Sequence, residues 1–445
     1  MPLSPDGTPA NAKPSQHSAL LICAMIAAGI FLTLLVFYPG VMTYDAKFVY
    51  EDIAKGTRGD WQSPVMTALW SLVDPIAPGS SSMFLLIAAF YWLGFGLVAF
   101  TIGRRSIRLA VALLLLAFSP PAFVFVGIIW RDVLFATAWL LSASLTFATA
   151  KRNVKLRALT MVVALGLVAL GVLIRPNALI AAPILAGYVV WPRQFFWKHA
   201  AIIFVPAAIG FFALVQVVYY GALGATRQHP LQSIMVFDLG GISHFAKQNQ
   251  YPVTWTEAET QLLINDCYRP TEWDLYWRLE PCQFVMHRLE GDKIFGTPVI
   301  TDAWLHAITR HPLAYIEHRT AFMWNFLAND NLTMWTADID HPSKTVFADR
   351  PAFNALVTIH NLLKPTPLFR AGSWLLICIA ICALAWRRRN TPSGAFAIGV
   401  CGSAAIYMLT FFAVGVASDF RYAYWAVLAS IAGAVALAQE HSAQA

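Results

Sequence analysis

The feature that most constrains this chain is a set of long runs without a charged side chain. From Ser18 to Tyr38 every residue is uncharged and most are apolar. A helix rises 1.5 Å per residue, so about 20 such residues cross the hydrocarbon layer of a bilayer. With no water there to pair with backbone amides, a helix that satisfies its own hydrogen bonds is the conformation such a run can take. Similar runs cover 82–102, 109–129, 133–150, 158–174, 177–191, 200–220, 371–386, 394–416 and 420–438, the last with Arg421 at its start. The run at 177–191 is the shortest and follows Arg175-Pro176-Asn177, where proline favours a break and a fresh helix start. The first run is too long for a signal-peptide core and has no small-residue cleavage motif, so it is expected to stay as the first span.

Composition agrees. Hydrophobic residues make up 58% of the chain and charged ones 12%, where a soluble domain carries about a quarter. The net charge of +7 raises nucleic acid as a partner. However, the basic residues sit in short clusters between apolar runs, as topology-setting loops do, and this excludes a nucleic-acid footprint. Arg104, Arg105 and Arg108 follow the second run, and Lys151, Arg152, Lys155 and Arg157 the fourth. Arg193 and Lys198 follow the sixth, and Arg387, Arg388 and Arg389 the eighth. The second, fourth, sixth and eighth runs therefore each end on a basic loop, which places both termini in the cytoplasm.

The expected organisation is a cytoplasmic tail over 1–17, seven spans over 18–220 with a first outer loop at 39–81, and an extracytoplasmic segment over 221–370. Three further spans over 371–438 lead to a second tail, 439–445. The fold class is all-α integral membrane, about ten transmembrane helices with an extracytoplasmic helical subdomain. Within that subdomain, 297–327 mixes apolar, aromatic and charged positions, which suits either a helix lying along the membrane surface or one packed inside the subdomain. Cys267 and Cys282 fall together in the outer segment and are expected to pair as a disulfide, since no histidine or carboxylate spacing beside them suits zinc. Cys23, Cys378, Cys382 and Cys401 lie in apolar runs as small buried hydrophobes. Asn331-Leu332-Thr333 has the form of a glycosylation sequon but carries no weight in a chain that reads as bacterial.

Charges inside a membrane are costly and usually functional. Here none falls mid-run; they collect at the outer ends. Asp45 follows the first run, with Asp60-Trp61-Gln62-Ser63-Pro64 further along. Trp130-Arg131-Asp132 opens the fourth, Arg175-Pro176-Asn177 ends the fifth, and Asp419-Phe420-Arg421-Tyr422 opens the tenth. Arginine holds phosphate with two parallel hydrogen bonds, and a carboxylate within reach of a hydroxyl can take its proton. A pocket of this kind at one depth suits a lipid-linked phosphate. Each residue also has a plainer role open to it: Asp45 as a helix cap, Asp132 and Asp419 in structural ion pairs, the arginines as anchors to lipid headgroups.

These residues resemble a known family, the class-C glycosyltransferases, membrane enzymes that move sugars from polyprenyl-phosphate donors. The likeness is greatest to a bacterial branch related to protein O-mannosyltransferases and lipopolysaccharide glycosyltransferases. It rests on Tyr38-Pro39-Gly40 with Asp45, Asp60-Trp61 and Pro64, Trp130-Arg131-Asp132-Val133, Ile174-Arg175-Pro176-Asn177 and Arg421-Tyr422. The outer segment matches loosely, through His311-Pro312-Leu313 and Tyr315. The resemblance implies Asp45 as the catalytic carboxylate, with Arg421 first, then Arg131 and Arg175, holding the donor phosphate. Asp60, Asp132, Asn177 and Tyr422 join them as substrate-binding residues. In some branches the carboxylate assists a divalent metal, so a metal is open as a cofactor, but no second acid adjoins Asp45 to make a paired site. Gln62-Ser63-Pro64 stands where relatives often carry a His-Pro pair.

The resulting expectation is an inverting glycosyltransferase in the bacterial inner membrane, its site facing the periplasm or exterior. Its partners would be a polyprenyl-phosphate sugar, a glycan, glycolipid or protein acceptor, and membrane lipids. A lipid-linked-sugar transporter or flippase is the alternative of another class, although charges near the midplane and two similar halves are missing. An O-antigen-type ligase or polymerase is a further alternative, which a donor assay separates.

Overall fold

The computed structural model describes residues 16–195, 197–329 and 332–441. Most of the first tail, the end of the second, and Asn331 of the sequon lie outside the described residues. Among the described residues all regular elements are helical, with four isolated β-bridges. Seven helical segments are long and apolar enough to cross a membrane: Gln16–Phe37, Ser80–Gly103, Arg131–Thr149, Val154–Ile174, Ala201–Ala222, Pro392–Val414 and Phe420–Gln439. The protein is a multi-pass membrane protein.

The chain opens with α1 (Gln16–Phe37), then two short helices, α2 (Tyr44–Lys55) and α3 (Pro64–Val73), and returns through α4 (Ser80–Gly103). The run expected as one span over 109–129 is not a single helix. It forms α5 (Ile107–Leu116), a turn at Ser119, one turn of α6 (Pro120–Phe123) and a buried non-helical stretch to Trp130. Pro120 and Pro121 lack the amide hydrogens a helix needs, so they can begin one but not continue it. The stretch instead pairs with the chain leaving α1: Val41 N donates to Gly127 O at 2.8 Å and Ile129 N to Val41 O at 3.1 Å. This bridge clamps the backbone four residues before Asp45.

Next come α7 (Arg131–Thr149) and α8 (Val154–Ile174). Arg175-Pro176 breaks the helix as the sequence suggests: a 3-10 turn, Pro176–Ile180, precedes the short α9 (Ala182–Val190). α10 (Trp197–Gln216) ends in a π turn, Val217–Ala222. α7 and the last helix, α19 (Tyr424–His441), form the buried centre, while α1, α8 and α10 expose apolar faces along the outside. In lipid, burial of apolar surface drives helix association weakly, so close packing and interhelical hydrogen bonds carry it. Both occur here. Trp139 Nε1 of α7 donates to Val168 O of α8 at 3.2 Å, and its indole lies where a side chain on Gly171 would stand. Trp92 Nε1 of α4 donates to Thr33 Oγ1 of α1 at 2.9 Å.

The outer segment holds α11 (Leu231–Ala246), α12 (Glu257–Asn265), α13 (Phe284–Gly291), α14 (Pro298–Arg310), α15 (Pro312–Ala328) and α16 (Pro351–Leu363). The mixed stretch 297–327 is two helices, broken at His311-Pro312. α15 packs on α11 through Phe237 and Phe322, yet its other face leaves Leu313, Ile316 and Trp324 exposed. The sulfurs of Cys267 and Cys282 are bonded, tying the start of α13 to the end of α12. Finally α17 (Ala371–Trp386), α18 (Pro392–Val414) and α19 complete the bundle.

Contacts across loops define two ends. At one, Arg193 Nε donates to Ala150 O at 2.9 Å, Arg157 Nη2 to Val190 O at 2.8 Å and Phe195 N to Arg389 O at 2.7 Å. The basic clusters therefore share an end. At the other, Ser63 Oγ donates to Leu173 O at 2.9 Å, and Trp273 N to Val416 O at 2.9 Å. That end carries the outer segment and all the rim motifs.

Candidate active site

Four breaks in the helices deliver charged side chains to one spot. Thr43 caps α2, its hydroxyl accepting from Ala46 N at 3.3 Å, so Asp45 stands in the first turn, where the helix dipole favours an anion. Arg131 and Asp132 open α7, Arg175 ends α8, and Arg421 sits in the 3-10 turn Phe420–Ala423 that leads into α19.

Arg421 is the hub. Its Nη1 donates to Asp45 Oδ2 at 2.6 Å, and its Nε lies 3.1 Å from Asp419 Oδ2 and 3.9 Å from Asp132 Oδ2. Nη2 reaches the Tyr422 hydroxyl at 3.4 Å, and the guanidinium carbon is 4.7 Å from the Trp130 ring centroid. Arg175 grips Asp132, Nε to Oδ1 at 2.6 Å with Nη2 also on Oδ1, and lies 4.9 Å from the Tyr422 ring centroid. Arg131 Nη1 donates to Trp61 O at 3.2 Å, and Gln62 Nε2 to Asp45 Oδ1 at 3.3 Å. Three carboxylates and three guanidiniums thus face each other with balanced charge. Such mutual compensation lets them be buried together.

Accessibility separates their roles. Asp132 is enclosed, with 2% of its side chain exposed, whereas Asp45 keeps 33% open. Only the second can meet an incoming molecule directly. Burial pushes the Asp45 carboxyl up, but the guanidiniums of Arg421, Arg131 and Arg175 outweigh it and hold the group below its ordinary value. Burial pushes Asp419 up to about 6 against the pull of Arg421, with Asp45, Asp132 and Asp274 adding to the push.

The structure thus brings Asp45, Arg131, Asp132, Arg175, Arg421 and Tyr422 into one cluster. Asn177 is half-buried on the 3-10 turn after Arg175. Asp60 joins other partners: it accepts from Tyr220 Oη at 2.7 Å and Gln228 N at 2.6 Å, fastening the first outer loop to the start of the outer segment. Among the described residues no group of three or more His, Cys, Asp or Glu could hold a metal ion. The cation amid these carboxylates is Arg421.

A second polar cluster escaped the sequence reading. Asp238 of α11 accepts from Trp304 Nε1 at 2.7 Å and sits 2.7 Å from Arg319 Nη2 and 3.1 Å from His318 Nε2. Burial raises the Asp238 carboxyl, and the attraction of Arg319 and His318 brings it below its ordinary value. Arg319 Nη1 donates to Gly415 O at 2.7 Å, so the cluster locks the outer segment onto the end of α18. The available signal was an acid alone in the apolar stretch 231–246 and an adjacent His-Arg pair in an aromatic-rich helix.

Fold and site define, over the described residues, an all-helical multi-pass membrane protein with an ion-paired polar cluster at one end of its bundle. No family model matches the chain, and no curated protein does. Two solved structures overlap it: ArnT from Cupriavidus metallidurans bound to undecaprenyl phosphate, and the same protein in the apo state. The first is 15% identical with a TM-score of 0.34, the second 14% with 0.33, each over 90% of this chain and 78% of the other. At such TM-scores the overlap carries no argument for the site, whose chemistry stands on the residues above.

Proposed function

We propose that this protein is a membrane glycosyltransferase that moves a sugar from a polyprenyl-phosphate donor to an envelope glycan, glycolipid or protein, at the extracytoplasmic surface. The observation that carries this reading is the pairing of the accessible Asp45 carboxylate with Arg421, beside Arg131 and Arg175. The outward orientation is supported by the gathering of the basic clusters at the opposite end.

The reaction is a single displacement. An acceptor hydroxyl attacks the anomeric carbon while the bond from that carbon to the donor phosphate oxygen breaks. Asp45 takes the hydroxyl proton, and the polyprenyl phosphate leaves with its charge held by arginine. Donor arrival serves two purposes. A phosphate reaching Arg421 competes with Asp45 for the same guanidinium, and a released Asp45 regains basicity. Arg131, with its contact to the Trp61 carbonyl, offers the phosphate a second cation at the mouth.

The test compares envelope glycans by mass spectrometry in cells lacking the protein, complemented with wild type or Asp45→Asn at equal expression. A sugar lost on deletion and restored only by wild type supports the reading. Full restoration by Asp45→Asn removes that carboxylate as the base, and a deletion that changes no glycan removes the transferase reading itself.

A further inference from the structure

A row of three indole rings leads from the charged cluster to the surface. Trp61 belongs to the first outer loop; its carbonyl holds Arg131, and its amide donates to Gln228 Oε1 at 2.9 Å. The Trp61 and Trp273 ring centroids are 5.6 Å apart, and those of Trp273 and Trp277 6.1 Å apart with planes 28° from parallel. Trp273 is buried in the middle, while Trp277 at the far end is 42% exposed.

The row is held in register with the site. Besides Trp273 N to Val416 O, Ser418 N donates to Thr271 O at 2.9 Å, and Glu272 and Ala417 form an antiparallel bridge. The strand so pinned runs straight on to Asp419 and Arg421. A charged rim accompanies the rings. Asp274 accepts from Trp277 Nε1 at 3.2 Å, and from Arg278 Nε at 2.9 Å and Nη2 at 2.6 Å. Glu272 and Arg269 stand 3.9 Å apart on the same turn.

We propose that Trp277, backed by the buried Trp273 and by Trp61, forms a carbohydrate-binding platform that presents a glycan acceptor to Asp45. The proposal rests on the transferase reading and narrows its acceptor to a sugar chain. A pyranose ring offers an apolar face of C–H groups and an edge of hydroxyls. Trp277, exposed at the end of the row, has the Arg278 guanidinium 5.7 Å from its ring centroid and Asp274 on its indole nitrogen, an aromatic surface with polar groups beside it, as apolar walls with a few placed polar groups are in ligand sites generally. A lone interfacial tryptophan would need neither the row of rings nor its tie to the stretch that leads to Arg421.

The test uses the purified full-length protein in detergent, probed by saturation-transfer NMR with maltotriose, α-mannotriose and chitotriose, without donor. Saturable transfer to at least one probe is expected, strongest at its C–H protons. Binding should weaken about ten-fold in Trp277→Ala and recover in part in Trp277→Phe. Because Trp277 is exposed, its removal spares the core. No saturable transfer from any probe, or binding equal in wild type and Trp277→Ala, overturns the platform. Neither result touches the transferase reading, which the glycan comparison in cells decides separately. If that comparison fails while the probes bind through Trp277, the platform stands as a lectin-like surface and its link to transfer is lost.

Discussion

At the level of single residues, the site is governed by which carboxylate each guanidinium holds. Asp45→Asn keeps shape but removes the proton acceptor, so transfer should fall on the order of 10²- to 10⁴-fold in a donor-to-acceptor assay, with donor binding retained. Asp132 is a different case. It is enclosed and gripped by Arg175, so Asp132→Asn leaves a buried guanidinium without its counter-charge. A loss of about 3–5 kcal/mol is expected from breaking such a pair, and Asp132→Asn with Arg175→Gln should recover part of it in detergent unfolding. Asp419 supplies a pH dependence. An acid whose pKa is raised from 3.8 to about 6 holds its proton more tightly folded than unfolded. The fold therefore loses stability as pH rises through that window, and the loss persists above it. Protonation below pH 6 also leaves the cluster one positive charge in excess, which favours an anionic donor. Donor affinity should rise between pH 7 and 5 in wild type and stay flat across that range in Asp419→Asn.

At the level of elements, what matters is where helices break and how closely they meet. Breaks at Thr43, Trp130, Arg175 and Asp419 each turn a helix end toward the site. Glycine makes one of the close approaches possible. Gly171 of α8 lies directly against the Trp139 indole of α7, whereas Gly166 on the same helix has nothing within 4 Å. Gly171→Leu should therefore lower the thermal unfolding midpoint, by an overpacking cost of about 1–3 kcal/mol, while Gly166→Leu should leave it almost unchanged. If both variants behave alike, the α7–α8 contact is not as drawn.

For the whole molecule, the proposed topology puts the two ends, which differ in character, on opposite sides of a membrane. A reporter after Arg389 and another within 221–370 should fall on different sides; finding both on one side would overturn the arrangement. Thiol labelling should spare Cys267 and Cys282 until reductant is added, as their bonded sulfurs require. The Asp238–Arg319–Gly415 connection joins the outer segment to α18, so Arg319→Met should loosen that segment and expose it to protease while the bundle stays intact.

Much of this was legible in one dimension. Runs of uncharged residues announce spans because lipid forbids unpaired backbone. Arg175-Pro176 announces a break because proline cannot continue a helix. The rim motifs could be picked out because they recur at one depth, although the sequence left each residue a plainer role as cap, ion pair or lipid anchor. Three things required the fold. The run over 109–129 reads as one span, yet Pro120-Pro121 diverts it into a buried strand-like stretch whose pairing with Val41 outweighs apolar continuity. Partner choice was invisible: Arg421 reaches back 376 positions to Asp45, while Asp60 turns to Tyr220 and Gln228. The tryptophan row joins residues from two distant loops. Composition and period act locally and show along the chain, but ion pairs and ring stacks depend on distances that exist only once the helices have packed.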